Sequence, residues 1–305
     1  MPGPASNQNS RLWRAMIWAL RITVALQCLG TWGWFTVWQE TPFLHWLLDP
    51  EDIGGLHWSE PTSLAVQQTI GWLILLAGLF TLARPCAAVL GPVAVVQLLI
   101  AVAMWRVDYG FSLESDWLSP RTTALFPFVS HLARIAAPLG LLMLDPWRAE
   151  RPLSDDRVAL AIGGLRWAAA ITFFAHGIEA WLLHPEFVDI CISSSENILG
   201  IRMAQSTAEV LLRIIGGVDM LVAIACIGTR WRAVLWWMAC WGGITAVSRV
   251  AAYGLNVGWS AVLTRAPHFG IPLAVVLYWH LLEWTRANPI AKSKIDTDNN
   301  PVKEG

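Results

Sequence analysis

Apolar runs long enough to cross a bilayer recur along the whole chain, bounded by Pro, Gly or charge, at 13–37, 66–83, 86–105, 122–145, 159–183, 208–228, 231–252 and 268–285. A helix needs about 20 residues, each rising 1.5 Å, to cross roughly 30 Å of hydrocarbon. In lipid the backbone must satisfy its own hydrogen bonds, which leaves helices as the form such runs take. The expectation is an all-α membrane protein with eight transmembrane helices. Only 14% of the residues are charged and 55% are hydrophobic, whereas soluble domains carry about 25% charged residues. Tryptophan occurs 20 times, and Trp13, Trp38, Trp105, Trp147, Trp181, Trp231 and Trp284 lie near run ends, where an amphipathic ring suits the membrane–water boundary.

Lys and Arg set the orientation. With eight spans, Arg11, Arg14, Arg84, Arg148, Arg151, Arg157, Arg230, Arg232, Arg286, Lys292, Lys294 and Lys303 share one side, and only Arg121, Arg202 and Arg265 lie on the other. The positive-inside rule then puts both termini in the cytoplasm of a multi-pass protein of the plasma (bacterial inner) membrane. The first run is too long for a cleaved leader and contains Arg21, so it is expected to be a span. Residues 1–12 are expected to form a disordered N-terminus and 286–305 a polar cytoplasmic tail. No basic face suggests nucleic acid. The five cysteines are scattered without a C-x-x-C, so neither a disulfide framework nor a thiol redox centre is expected.

The chain divides into a first four-span repeat, 13–145, and a second, 159–285. Leu20-Arg21 and Leu165-Arg166 open corresponding runs, and Trp38-x-x-x-Pro42 and Trp181-x-x-x-Pro185 close them. Arg106 to Gly110 resembles Arg249 to Gly254, and His131 with Pro138-Leu139 resembles His268 with Pro272-Leu273. Four spans per copy keep both copies in one orientation, so the expected architecture is two parallel-repeated four-helix bundles.

Polar groups inside the runs are expensive and ask for partners. Arg134 and Asp219 lie near the middle of their runs and are expected to form a buried charge pair. Arg21 and Arg166 lie close enough to the cytoplasmic end to snorkel or to pair structurally. In the second repeat His176, Glu179, Arg213, Arg249 and His268 come to similar depth on four different runs, which would gather them around one outward-opening cleft. Such a set suits an anionic or quinone-like headgroup, or proton transfer; it equally suits an ion-pair network that only fixes packing. No repeated histidine pair suits haem, no compact ligand spacing suits a metal, and no catalytic motif is present.

The second half resembles the DoxX-like family of four-span membrane proteins, through Gly164-Leu165-Arg166 opening a helix, His176-Gly177, Gly216-Gly217, the hairpin at Thr229-Arg230 and a final apolar span. The first half is similar to a worn copy, with Leu20-Arg21 kept and Thr31-Trp32 in place of His-Gly. That resemblance implies a quinone-linked or accessory membrane subunit of a redox system, whose redox centre comes from a partner subunit or a bound quinone. A transporter or small-molecule binding protein using the outward cleft is the second expectation, and a non-catalytic scaffold the third.

Overall fold

The computed structural model describes residues 4–107, 123, 125–145 and 153–287. Among the described residues all regular structure is helical. The first half holds α1 (Pro4–Gly33), running into a π-helical segment Trp34–Trp38, then α2 (Pro42–Leu48), a 3-10 turn Glu51–Ile53, α3 (Glu60–Ala83), α4 (Ala87–Arg106), α5 (Phe126–Ser130) and α6 (Leu132–Leu144). The second holds α7 (Asp155–Trp181), α8 (Pro185–Leu199), α9 (Gln205–Gly228), α10 (Arg232–Tyr253), α11 (Leu255–Thr264) and α12 (Ala266–Ala287).

Five helices, α1, α3, α4, α7 and α9, are long and apolar enough to cross a membrane, and the bent pair α11–α12 makes six. The expected run 122–145 is instead the short α5 and the 13-residue α6, and α10 carries Trp236, Trp237, Trp241 and Arg249, which lower its hydropathy. One further expectation changes, and two others fall outside the described residues. The first helix begins at Pro4, inside the segment expected to be disordered, and the tail beyond Ala287 lies outside the described residues. So do Asp108–Gly110, part of one proposed repeat anchor.

Matched helices recur at constant spacing. α3 and α9 are each 24 residues long and start 145 residues apart, at Glu60 and Gln205; α4 and α10 start the same distance apart, at Ala87 and Arg232. Each first helix ends near a left-handed residue, Gln39 (φ 64) or Leu183 (φ 60). A proline then starts α2 at Pro42 and α8 at Pro185, the first helical turn being where a missing N–H costs least.

The halves do not form separate bundles. α1 packs as extensively along α11 and α12 as along α3, and α7 packs along α5 and α6 as well as α9. Small residues permit this: a Cβ at Gly30 would fall 2.7 Å from the Ser260 carbonyl oxygen. One core results, joining Met16, Leu20 and Val24 of α1 to Leu141 of α6, Leu165 of α7, Leu235 of α10 and Ile271 of α12.

Two arginines close corresponding helix ends. Arg21 donates from Nη1 to the Leu82 carbonyl at 2.7 Å and from Nε to Asp145 at 2.6 Å. Arg166 donates to the carbonyls of Cys226, Ile227 and Thr229 at 2.7, 2.6 and 2.7 Å. Each satisfies the carbonyls that the last turn of the next long helix leaves free, α3 or α9.

Candidate functional site

Two helices are interrupted, and the interruptions position the site. α5 gives way to α6 at His131, and α11 turns by 42° into α12 at Arg265. The broken backbone finds partners from the neighbouring first helix of the other half. Thr172 of α7 accepts from Ala133 N at 3.0 Å and donates to the Val129 carbonyl at 3.3 Å. Farther on, Pro138 and Pro272 lack the N–H that would bond the carbonyl four residues back. The carbonyl of Arg134 is taken instead by Gln27 Nε2 at 2.9 Å. That of His268 packs on Gly242, where a Cβ would lie 2.7 Å away. The breaks therefore present His131 with Arg134 on one side and Arg265 with His268 on the other.

Arg134 donates from Nη1 to His131 Nε2 at 2.9 Å. A guanidinium cannot accept, so Nε2 must, which puts the imidazole proton on Nδ1, 3.3 Å from Ser130 Oγ. From α7, His176 Nδ1 meets Glu179 Oε2 at 2.6 Å, one helical turn apart. The His176 and His268 rings are 5.1 Å apart. Arg249 of α10 lies over the Phe187 ring at 5.7 Å and donates from Nη1 to the Thr245 carbonyl at 2.7 Å.

This group forms a wall between two cavities. On one side an apolar chamber of about 470 Å³ lies among α7, α8, α9 and α10, with Asp219, Trp241, Arg249 and His268 at its boundary. On the other a polar cleft of about 650 Å³ runs between the halves, bounded by Trp34 and Trp38 from the first and by Glu179, Glu186 and Tyr253 from the second. His176, Phe187 and Arg265 border both. Glu186 is exposed at the cleft rim. The surrounding protein would raise its pKa, but Arg265 and Arg249 hold it below the ordinary carboxylate value.

Buried polar atoms along the chamber lack hydrogen-bond partners at His176 Nε2, Arg249 Nε and His268 Nε2, while Asp219 and Trp241 face each other. Asp219, Arg249 and His268 are 6%, 6% and 5% exposed. An unpaired buried polar group costs about 1–3 kcal/mol, so three ionisable side chains left this way around one space suit polar contact with an occupant.

Four of the five expected ligand-binding residues, His176, Glu179, Arg249 and His268, meet here. Arg213 does not. The buried face of α9 is Ala208, Leu212, Gly216, Asp219 and Ala223, and Arg213, about 100° round the helix from Leu212, is exposed. The expected pair of Arg134 with Asp219 is not formed. Arg134 bonds His131 and borders the cleft, while Asp219 borders the chamber beside Trp241. Arg265 was expected in an external loop and proves central. Its signal was Pro267, a helix-start residue that marks the break just before it. No group of three or more His, Cys, Asp or Glu side chains among the described residues is placed to hold a metal.

Fold and site together define, among the described residues, an all-helical protein with several helices long and apolar enough to cross a membrane and a polar wall between two cavities. No family model matches the chain, and no curated protein or solved structure matches it.

Proposed function

We propose that this protein is a quinone-linked or accessory membrane subunit of a redox system, which holds an amphiphile of the quinone type. The headgroup sits against His176, Arg249 and His268, and the isoprenoid tail fills the apolar chamber. The observation that carries this is the set of unpartnered buried polar atoms facing a mainly apolar space of about 470 Å³. The chamber's outer boundary includes Ile198, Leu199, Leu211 and Ile244, all exposed, which suits a tail arriving sideways from lipid. The redox centre comes from a partner subunit or from the quinone itself. In this reading the chain is two tandem copies of a DoxX-like four-span unit in the plasma membrane. It has eight spans, with α5–α6 and α10 as the additional crossings, and both termini are cytoplasmic. The matched spacing of α3 with α9 and α4 with α10 supports the duplication.

Solvent extraction of the protein purified in mild detergent tests the reading. Quinone is expected to co-purify or to be retained when added, and to be lost in Ser248→Phe, which fills the chamber. Folded protein that retains neither native nor added quinone overturns it. A second reading, a transporter using the cleft, draws on the paired broken helices, which in transporters flank substrate sites. Uptake into proteoliposomes that Arg265→Gln abolishes would favour it.

A further inference from the structure

The geometry points to His176 and Glu179 as a proton path between the headgroup in the chamber and water in the cleft. This rests on the quinone-type reading above and deepens it. His176 is the imidazole that borders both cavities. Its Nε2 is unpartnered and its Nδ1 meets Glu179 Oε2 at 2.6 Å. Glu179 is 2% exposed, borders only the cleft, and leaves its second oxygen, Oε1, without a partner. Chamber, imidazole, carboxylate and cleft therefore follow one another in order, with one hydrogen bond linking the two side chains.

The two electrons of a quinol in the chamber go one each to two one-electron acceptors, and with each electron the O–H bond of one hydroxyl breaks and an N–H bond forms at His176 Nε2. The Nδ1–H bond breaks as the Glu179 Oε2–H bond forms, and the carboxyl releases the proton to cleft water. The imidazole regains its starting tautomer when its Nε2–H bond breaks to water and an Nδ1–H bond forms from water, with no net proton moved. Reduction runs the same steps in reverse. His176 touches the headgroup and is the catalytic residue; Glu179 acts through it.

Charged and titratable groups face His176 from every side of the two cavities. Arg249 faces it from α10, and His268 and Arg265 from α12 and the break before it. Glu186 and His184 stand on α8 and at its start, while His131 and Arg134 stand at the α5–α6 break. Asp219 of α9 borders the same chamber.

The test uses the full-length protein loaded with a short-chain benzoquinol and freed of unbound quinol by gel filtration. Ferricyanide is the electron acceptor, taking one electron per molecule, and a pH dye reports the protons. Per quinol bound, Glu179→Gln is expected to slow oxidation and proton release tenfold or more and to flatten their pH profile. Glu179→Asp is expected to recover part of the rate, which a merely structural carboxylate would not require. Glu179→Gln oxidising and releasing protons at the wild-type rate overturns the path and leaves quinone binding intact. Should Glu179→Gln fail to fold, His176→Gln takes its place with the same outcomes. Wild-type protein that retains no quinol overturns both readings.

Discussion

The two halves place the same helices in the same relation and then fill the space between them differently. In the first, the region under α2 is packed solid: Phe35 and Phe43 stack at 5.6 Å, and Phe43 meets Trp46 edge-on at 6.2 Å, with Leu47, Ile100 and Ala103 around them. Its polar groups are neutral and several bond one another, although Trp46 Nε1, Ser63 Oγ and Gln97 Oε1 stay without partners. Gln97 donates to Thr31 at 3.0 Å, Gln67 donates to the carbonyls of Phe35 and Gln39, and Thr41 bonds Gln67. In the second half the region under α8 is the chamber. By the 145-residue spacing His176 stands where the first half has Thr31, and Asp219 where it has Ile74. One half behaves as a packed support and the other as a site. Neutral networks and aromatic packing stabilise, whereas unpartnered ionisable groups are kept at a cost in stability.

The largest expected effect comes from breaking the support. Phe35→Ala, at a fully buried ring, should destabilise by about 3–5 kcal/mol without changing quinone content in the molecules that remain folded. Thermal unfolding in detergent and extraction check both parts. Ligand loss in folded Phe35→Ala would break the division between the halves.

Next come the matched glycines at the helix crossings. A Cβ at Gly216 would lie 2.7 Å from Trp181 N, which is backbone, whereas one at Gly71 would meet Thr36 Cγ2 at 2.8 Å, which is a side chain that can turn. Gly216→Ala should therefore cost about 1–3 kcal/mol and Gly71→Ala measurably less, in paired melting curves.

Making the second half resemble the first sharpens the contrast in the opposite direction. Asp219→Ile gives the chamber the residue of the equivalent first-half position. It should stabilise by about 1–2 kcal/mol, because a buried carboxylate with one oxygen left unsatisfied is removed, while quinone affinity falls. Greater stability with unchanged affinity would take Asp219 out of the site.

The smallest effect is in pH. The Glu186 carboxyl is held below its ordinary value, so its contribution to stability is complete above the unfolded carboxylate pKa and is lost as pH falls through the lowered folded pKa. Wild type should exceed Glu186→Gln at pH 7 by at most about 1 kcal/mol, since the side chain is exposed and screened. The difference should vanish on acidification.

Much of the helical layout was legible. The apolar runs anticipate α1, α3, α4, α7 and α9, because hydropathy over 20 residues is a local quantity. Arg21 and Arg166 stood out for the same reason, as charges near the ends of apolar runs. The break at His131 was not legible as such, since an apolar count does not register a turn of backbone satisfied by Thr172 on a distant helix, and the one at Arg265 was marked only by Pro267. Arg213 was misassigned because depth along a helix was read without its rotation. Arg134 and Asp219 share depth but face different cavities.

Composition and periodicity alone determined that this chain is helical and suited to a bilayer, and that ionisable residues fall at similar depth in its second half. Which of them meet was decided by the crossing of α1 with α11 and α12 and of α7 with α5 and α6. Those contacts join residues more than a hundred positions apart, as in Gln27 with the Arg134 carbonyl. They depend on the azimuth of each helix and on where two broken helices resume. Both are set by packing across the whole fold, not by any single run.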